Sequence, residues 1–454
     1  MRNPVGSEVP FNYSPYIPYD PYFNGVYNGY ISTPSTDGVQ PFEFSGWRDE
    51  MESWHDNVYL HAGLNPTYEF KVSGPDALRF LSENFVNTFK NFPVGKGKHG
   101  IMVNSHGLIT AHGMLLHTAE DEYRGYYMHN RPAIALAAGD YDAIGEDLTG
   151  QHFNYQLGGP RSLEVVEVAT GSDLHDLPFI HFVDAEIAGF PVRILRIGMA
   201  GSLAYEVHGK TENALPIYSA LLAAGEPFGI RRLGRHAYWN AHTENGFPQY
   251  SIHFPAADAD PVDGVPAPPL ELDSYYRFTG SLGTDKSQRL VNPVEMGWGG
   301  MINFDHEFVG KAALQEIKAN PARKLVTLEW NTEDILDIYR SGLTPGSVPY
   351  APMDGPEDFS FWNGPEYLAD KVLLDGKTVG MSTGRIQSAH YRRMLSLGTV
   401  ATSIPQGTEV IVLWGDPDTR QKEIRAIVSR YPYLNENRNE TVDVAKIPKL
   451  QGAH

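Results

Sequence analysis

Histidine and tyrosine are the residue types whose spacing suggests chemistry in this chain. Five histidines lie between residues 99 and 129, and alternation along a strand would place two of them, His106 and His112, on similar faces. Imidazole is a common metal ligand, but metal sites also draw on paired carboxylates or on a helical i, i+4 pair. Neither accompanies these histidines, and the chain has no P-loop and no His-Glu-x-x-His motif. We therefore predict no metal site and interpret most of these histidines as core or surface residues.

Tyrosines recur at every third residue near the N-terminus, at Tyr13, Tyr16, Tyr19 and Tyr22, with prolines between them. A polyproline II segment has three residues per turn, so the four rings would share one face. Residues 1–46 show no other sustained period. We interpret this Tyr/Pro-rich arm as packed on its own domain; the alternative is that it covers a neighbouring molecule or the active site.

Composition restricts the class of protein. The chain has 454 residues, with 36 Lys and Arg against 55 Asp and Glu, which gives a formal net charge of -19. Such a surface repels phosphate backbones and anionic lipids, so neither nucleic acid nor a membrane is an expected partner. The chain has no cysteine, no apolar run of membrane-spanning length and no signal-peptide pattern at its N-terminus. We expect a cytoplasmic protein without disulfides, and the oligomeric state stays open.

In the first two thirds of the chain the sequence predicts both strands and helices. These elements must position any site. Apolar residues alternate over 68–72 as in a half-buried strand, and the turn at 73–76 is typical of a helix start. A second strand–helix passage covers 192–224. After a Pro-, Asp- and Gly-rich excursion at 255–290 the pattern becomes mostly β, with a hairpin at 372–379 around an Asp-Gly turn.

Several segments resemble the aminomethyltransferase family of folate enzymes, which includes the T-protein of the glycine cleavage system. The similar stretches follow the family's order from about residue 45 to 430, and five motifs in order are far more specific than one. They are Phe70–Leu78, Asn104–Ile109, Gly198–Glu206, Asn292–Gly299 with Phe304–Leu314, and Gly380–Gly384 with Arg393–Leu397. Within the family the chain is most similar to the tetrahydrofolate-dependent aryl O-demethylase branch, in which a sister enzyme opens a methylenedioxy ring.

The resemblance implies an α+β, three-domain aminomethyltransferase-like fold with folate in a central funnel and a C-terminal β-barrel or jelly-roll-like domain. We place the arm at 1–46, a folate- and substrate-binding region of two interleaved subdomains at 47–322, and the C-terminal β domain at 323–454. The implied cofactor is tetrahydrofolate and the implied substrate is a small aromatic ether of the lignin or lignan type, such as sesamin. A methyl or methylene unit would pass to folate N5, and a phenol or catechol would be released.

The resemblance also assigns candidate site residues. Tyr238 falls where the branch has its catalytic tyrosine, and an aryl ether needs a general acid at its leaving oxygen. A phenol is well matched, because its reference pKa of about 10 is close to that of the released phenol. Glu206 ends an apolar strand, where a carboxylate could accept two N–H bonds from the pterin. The other candidates are His129 and His112 for catalysis, Asn104, Phe247 and Arg235 for folate, and Tyr27, Tyr30 and His61 for the substrate.

The chain departs from the family at two positions that bear on chemistry. The glycine-cleavage relatives have an acidic residue after their Gly-rich strand, whereas the stretch 108–112 has none. This absence counts against an N-demethylating or aminomethyl-transferring enzyme, which is kept as an alternative together with a folate-binding module without turnover. The O-demethylase branch pairs its tyrosine with an arginine, and here His129 or Asn130 falls near that position, with Arg131 next. The partner of Tyr238 stays open, and the missing arginine favours a substrate unlike vanillate.

Overall fold

The structure is a computed structural model of the chain. It describes residues 14–18, 26–33, 36–250, 252–262, 264, 266, 277–353, 355 and 366–449. For residues 26–33 and 36–40 the description covers the backbone alone. Within these ranges the strands form four sheets.

Helices and strands alternate up to residue 245, and strands dominate after residue 323. The helices are α1 (Trp47–Asp56), α2 (Ala77–Asn84), α3 (Arg131–Ala138), α4 (Ser162–Thr170), α5 (Ala214–Gly225), α6 (Arg235–Asn245), α7 (Lys311–Ala319) and α8 (Thr332–Gly342). The strands are β1 (Val26–Thr33), β2 (Thr36–Glu43), β3 (Tyr59–His61), β4 (Glu69–Ser73), β5 (Gly97–Val103), β6 (Ile109–Ala119), β7 (Glu122–Tyr126), β8 (Ile144–Asp147), β9 (His152–Gly158), β10 (Phe182–Ile187), β11 (Phe190–Leu195), β12 (Ala204–Lys210), β13 (Arg231–Leu233), β14 (Arg277–Thr279), β15 (Arg323–Trp330), β16 (Glu366–Leu374), β17 (Lys377–Ser388), β18 (Arg393–Ala401), β19 (Glu409–Trp414) and β20 (Lys422–Ser429).

A six-stranded sheet with the order β10-β11-β12-β9-β3-β13 separates an apolar core from a polar face. Successive side chains of a strand point to opposite faces. Phe153, Tyr155 and Leu157 of β9 therefore pack into the core with α4 and α5, while Asn154 and Gln156 point the other way. The polar side of this sheet is where the site is built.

A five-stranded sheet with the order β5-β6-β7-β4-β8 faces that polar side. Strand β3 joins the six-stranded sheet before the chain enters the five-stranded one, and β9 returns to it afterwards. Helix α6 lies at the centre of the molecule, since every residue from His236 to Asn245 is buried. It packs against α1, β2 and the barrel strands β17 and β18.

Strands β15 to β20 close into a six-stranded barrel through the pairing of β16 with β19, and β14 adds to β16 in parallel. The predicted hairpin is confirmed: β16 and β17 are joined through Asp375 and Gly376, both with positive φ, as a two-residue Asp-Gly turn requires. After β20 the chain leaves the barrel. The Leu434 N–H donates to the Glu244 carbonyl at 2.8 Å, and the Asn439 N–H donates to the Gly201 carbonyl at 2.8 Å. The predicted domain 323–454 therefore includes a segment that packs on the N-terminal region.

The structure describes one of the four regularly spaced tyrosines of the N-terminal arm. Tyr16 is buried, and its carbonyl accepts the Tyr155 hydroxyl at 2.6 Å, so this part of the arm packs on the core of its own domain. Tyr13, Tyr19 and Tyr22 lie outside the described residues. In the second predicted strand–helix passage, the helix begins at Ala214, after a 3-10 turn at Thr211–Asn213.

Candidate active site

A cavity of roughly 460 Å³ lies between the two sheets of the N-terminal region, helix α6 and the segment that follows the barrel. Its walls include Glu206 from β12, His112 from β6, Tyr238 from α6 and Arg438 from the C-terminal segment. Gly113 allows β6 and β7 to come close at this wall, since a Cβ there would lie 1.9 Å from the Tyr126 carbonyl oxygen. One enclosed space thus collects side chains from distant parts of the chain.

A row of polar side chains crosses the floor of the cavity. Gln156 and Glu206 are direct cross-strand neighbours on β9 and β12, and the Gln156 amide donates to Glu206 Oε1 at 2.8 Å. The His208 Nε2 lies 2.9 Å from Glu206 Oε2. Glu206 is only 3% exposed. These two bonds fix the carboxylate in one orientation toward the cavity.

The row formed by Gln156, Glu206 and His208 has hydrogen-bond acceptor positions that no described protein group occupies. An ionised carboxylate offers about four lone-pair positions, and protein partners take one at each oxygen of Glu206. Gln156 Oε1 is buried and has no hydrogen-bond partner among the described residues. Adjacent acceptors of this kind suit the edge of a planar heterocycle that carries several N–H donors, as the pterin of a folate does. Glu206 and Gln156 could therefore hold that cofactor.

Tyr238 is held at the opposite wall by the start of α6. The Gly234 N–H before this helix donates to Glu50 Oε2 at 2.7 Å, which ties α6 to α1. The Tyr238 ring stacks on the His61 ring, with centroids 4.1 Å apart and planes 6° from parallel. Burial, together with the negative charge of Glu206, raises the pKa of Tyr238 well above its usual value, while Gln156 acts in the opposite direction. The phenol is therefore protonated throughout the neutral range.

Tyr127 is a second phenol in the cavity that sequence reasoning missed. It follows β7 with a φ of +66°, a backbone conformation that is rare for an aromatic residue. Its hydroxyl oxygen accepts the Asn154 amide at 2.6 Å. Burial raises the pKa of Tyr127 well above its usual value, with Glu206 and Tyr238 adding to the shift. The one signal in the sequence that pointed to Tyr127 is its position two residues before His129, a predicted site residue.

An aromatic wall closes another side of the cavity. His99, His112, Phe247 and Trp298 all line it, and the centroids of His99 and Trp298 lie 4.7 Å apart. The Tyr250 N–H donates to His112 Nε2 at 3.4 Å, so the His112 proton resides on Nδ1, which lies 3.1 Å from His99 Nε2. Burial lowers the pKa of both rings, to about 4 for His99. Both imidazoles are therefore neutral in the neutral pH range.

Four of the predicted site residues do not line this cavity, namely Asn104, Arg235, His129 and His61. Asn104 lies in the turn between β5 and β6, where its Oδ1 accepts the His106 and Leu108 N–H groups and its amide donates to the Asp258 carbonyl. Arg235 stacks its guanidinium on the Trp239 ring at 4.8 Å. His129 has a φ of +50° and borders a small separate pocket beside His112.

The predicted substrate residues are placed less directly. His61 is fully buried behind Tyr238, and its Nδ1 bonds the Leu233 carbonyl at 2.9 Å. It supports the phenol from behind instead of lining the cavity. The backbones of Tyr27 and Tyr30 lie in β1, opposite Pro41 and Val39 of β2, and their side chains are outside what the structure describes.

The C-terminal segment supplies a wall that the sequence did not reveal. Arg438, Asn439 and Glu440 line the cavity. The Arg438 guanidinium donates to Asn245 Oδ1 at 2.8 Å and to Glu440 Oε1 at 2.6 Å. Asn245 closes α6, so the segment is tied to the helix that carries Tyr238.

A buried histidine anchors the far end of this segment. His175 Nδ1 lies 2.8 Å from Glu167, and its Nε2 donates to the Ile447 carbonyl at 3.0 Å. Burial lowers the pKa of His175, but the Ile447 carbonyl and Glu167 outweigh it and give a net rise. Glu167 and the Ile447 carbonyl thus hold the His175 ring at both of its nitrogens.

Comparison with known proteins gives a consistent set of similarities. The family model described as GCVT N-terminal domain matches residues 5–262. Sesamin methylene transferase of Sinomonas sp. (strain No.22) is 40% identical over 439 residues, which are 93% of this chain and 97% of that protein. Syringate O-demethylase of Sphingobium sp. (strain NBRC 103272 / SYK-6) is 31% identical over 428 residues, 87% of this chain and 89% of that protein.

The fold has a solved counterpart. The crystal structure of glycine cleavage system aminomethyltransferase T from Bartonella henselae superposes with a TM-score of 0.66 at 16% identity, over 90% of this chain and 95% of that one. The predicted α+β, aminomethyltransferase-like fold with a C-terminal barrel is thereby confirmed. Among the described helices, none combines the length and the apolar character needed to cross a membrane.

Proposed function

The chain belongs to the GCVT family, and we propose that it is an enzyme that transfers a one-carbon unit from an aromatic ether to tetrahydrofolate. The observation that carries this proposal is the placement of the Tyr238 phenol and the Glu206 carboxylate on one buried cavity. The first can protonate a leaving oxygen and the second can hold a pterin. The names of the two relatives, a methylene transferase and an O-demethylase, describe the same class of reaction.

Glu206 and Gln156 are proposed to orient the pterin through their acceptor oxygens. Phe247 and Trp298 offer apolar faces beside them for the planar ring system. When bound, tetrahydrofolate supplies the nitrogen nucleophile that takes the carbon. The chain's own task is then to hold the aromatic ether in line with that nucleophile, where positioning can contribute on the order of 7–11 kcal/mol.

Tyr238 is proposed to protonate the ether oxygen as the carbon–oxygen bond breaks. An aryloxide is a poor leaving group without that proton, and a placed general acid contributes roughly 10²–10⁴-fold. His61 fixes the ring plane by stacking on it. The buried walls exclude water, which would compete for the carbon and hydrate the phenol.

The test is incubation of the full-length protein with tetrahydrofolate and a panel of methoxy and methylenedioxy aromatics, including sesamin, followed by mass analysis of the folate. A one-carbon adduct is expected with at least one compound. Tyr238→Phe should lower its rate of formation at least tenfold and leave tetrahydrofolate affinity near that of the wild type.

Tyr205→Phe is the matched control for this substitution. Tyr205 is a buried tyrosine on the core face of β12, and its hydroxyl has no hydrogen-bond partner in the described part of the chain. Its replacement should leave turnover unchanged. Equal turnover of Tyr238→Phe and Tyr205→Phe would remove Tyr238 from the mechanism.

A further inference from the structure

Tyr127 occupies a strained backbone position that points its phenol into the cavity. A non-glycine residue at positive φ is strained and persists only where its surroundings enforce it. Here the Tyr127 N–H donates to the Tyr68 carbonyl at 3.0 Å, and the side chain lines the same cavity as Tyr238. The surrounding contacts therefore hold this phenol in the cavity wall despite the backbone strain.

The amides of Asn154 and Gln156 hold the two phenols. These two residues lie two positions apart on one face of β9. Their spacing along the strand is therefore about 6.7 Å, twice the rise per residue. Asn154 donates to the Tyr127 oxygen at 2.6 Å, and Gln156 interacts with the Tyr238 oxygen. The two hydroxyl groups are consequently presented side by side along one strand.

The proton of Tyr127 is available to a ligand. Its oxygen accepts a hydrogen bond from the Asn154 Nδ2, so its own hydrogen must point elsewhere. Asn154 Oδ1 has no partner among the residues that the structure describes, so the phenolic hydrogen is not donated back to that amide. Tyr127 is thus oriented as a donor toward the cavity.

We propose that Tyr127 is a second proton donor and that the substrate carries two ether oxygens on a single carbon, as in a methylenedioxybenzene. This inference rests on the proposed function. A methoxyarene releases one aryl oxygen and needs one proton, which Tyr238 supplies. A methylenedioxy ring releases two neighbouring aryl oxygens, and two donors spaced as Tyr127 and Tyr238 are can reach one each through hydrogen bonds of about 2.7 Å.

The atoms of this reaction balance without an oxidant or a reductant. Two carbon–oxygen bonds break, two carbon–nitrogen bonds form, and the aromatic product is a catechol. The two oxygens gain two protons, and two nitrogens of tetrahydrofolate lose two on taking the carbon. Tyr127 and Tyr238 each pass on one proton and regain one, so both phenols end the turnover protonated.

The experiment compares two lignan probes on the full-length enzyme. One is sesamin, and the other has the same skeleton with each methylenedioxy ring replaced by two methoxy groups. We expect a one-carbon folate adduct from sesamin and at least a tenfold lower kcat for Tyr127→Phe. Asn154→Asp should act in the same direction, because a carboxylate accepts the Tyr127 hydrogen and withdraws it from the cavity. Tyr205→Phe should behave as the wild type.

Binding without folate provides a readout that is independent of turnover. Calorimetry on the folate-free protein should show about fivefold weaker sesamin binding for Tyr127→Phe than for Tyr205→Phe, at a similar thermal midpoint.

The outcomes separate the inference from the proposed function. An adduct from the methoxy probe but none from sesamin would overturn the inference and leave the proposed function in place. Unchanged sesamin turnover and binding in Tyr127→Phe would do the same. An enzyme that forms no folate adduct from any compound of the panel would contradict the proposed function, and the inference would fall with it.

Discussion

Acid should destabilise this protein well above the range in which carboxylates titrate. His61, His242 and His253 are each at most 4% exposed. Burial lowers the pKa of His61 and His253 to about 3 and that of His242 to about 4. The unfolded chain takes up these protons near pH 6.5, whereas the folded protein does not, so stability falls as the pH drops from about 7 to 4.

The magnitude follows from the linkage relation. At pH 5.5, one unit below the unfolded pKa, each of these histidines removes about 1.4 kcal/mol of stability, so the three together remove roughly 4 kcal/mol. This is a large share of the 5–15 kcal/mol typical of a folded domain. His175 opposes the trend, because its raised pKa contributes stability at low pH that is lost as the pH rises through its folded pKa.

Urea denaturation at pH 7.5, 6.5 and 5.5 measures this effect. His253→Gln should reduce the pH-dependent loss at pH 5.5 by about 1.4 kcal/mol, since its ring titrates in the unfolded chain alone. His106→Gln, at an exposed position, is the control substitution. A wild-type unfolding free energy that changes by less than about 1 kcal/mol over this range, at constant m-value, would refute the reasoning.

Two further substitutions test the proposed pterin contact of Glu206 and the packing of helix α6 through Glu244. Glu206→Gln should weaken tetrahydrofolate binding at least tenfold, because charge-assisted hydrogen bonds are worth about 1.5–3 kcal/mol; calorimetry showing wild-type affinity would contradict the assignment. Glu244→Ala should lower the free energy of unfolding by about 3–5 kcal/mol, since this buried carboxylate accepts Trp54 Nε1 at 2.9 Å and Ser388 Oγ at 2.6 Å. A loss below 1 kcal/mol in denaturant titration would count against that role.

Local patterns were predictable where neighbours in sequence are also neighbours in space. The Asp-Gly turn of the barrel hairpin depends on two residues alone, and the structure confirms it. Residue alternation likewise placed Phe70 and Val72 in a buried row of β4. The family motifs extended this to the whole fold, because their order along the chain fixes the order of the domains.

The site was predicted less completely, because its parts meet through long-range packing. Tyr127 enters the cavity through a positive φ that no local residue preference indicates. Arg438 reaches Asn245 from nearly two hundred residues away. Asn104 shows the opposite case: its motif position suggested folate contact, and in the structure its side-chain oxygen accepts two N–H groups of the turn that follows it. A sequence motif therefore identifies a residue type more readily than the contacts that the residue makes in the folded chain.

A raised pKa at first looks unfavourable for a phenol that must give up its proton. Burial raises the pKa of Tyr238 because the phenolate would lose its hydration and stand near Glu206. The aryl oxygen that leaves the substrate sits in the same cavity and would suffer the same loss of hydration. The driving force for proton transfer depends on the difference between the two pKa values, and burial shifts both in the same direction. The cavity can therefore exclude water without making Tyr238 a weaker acid toward the oxygen it has to protonate.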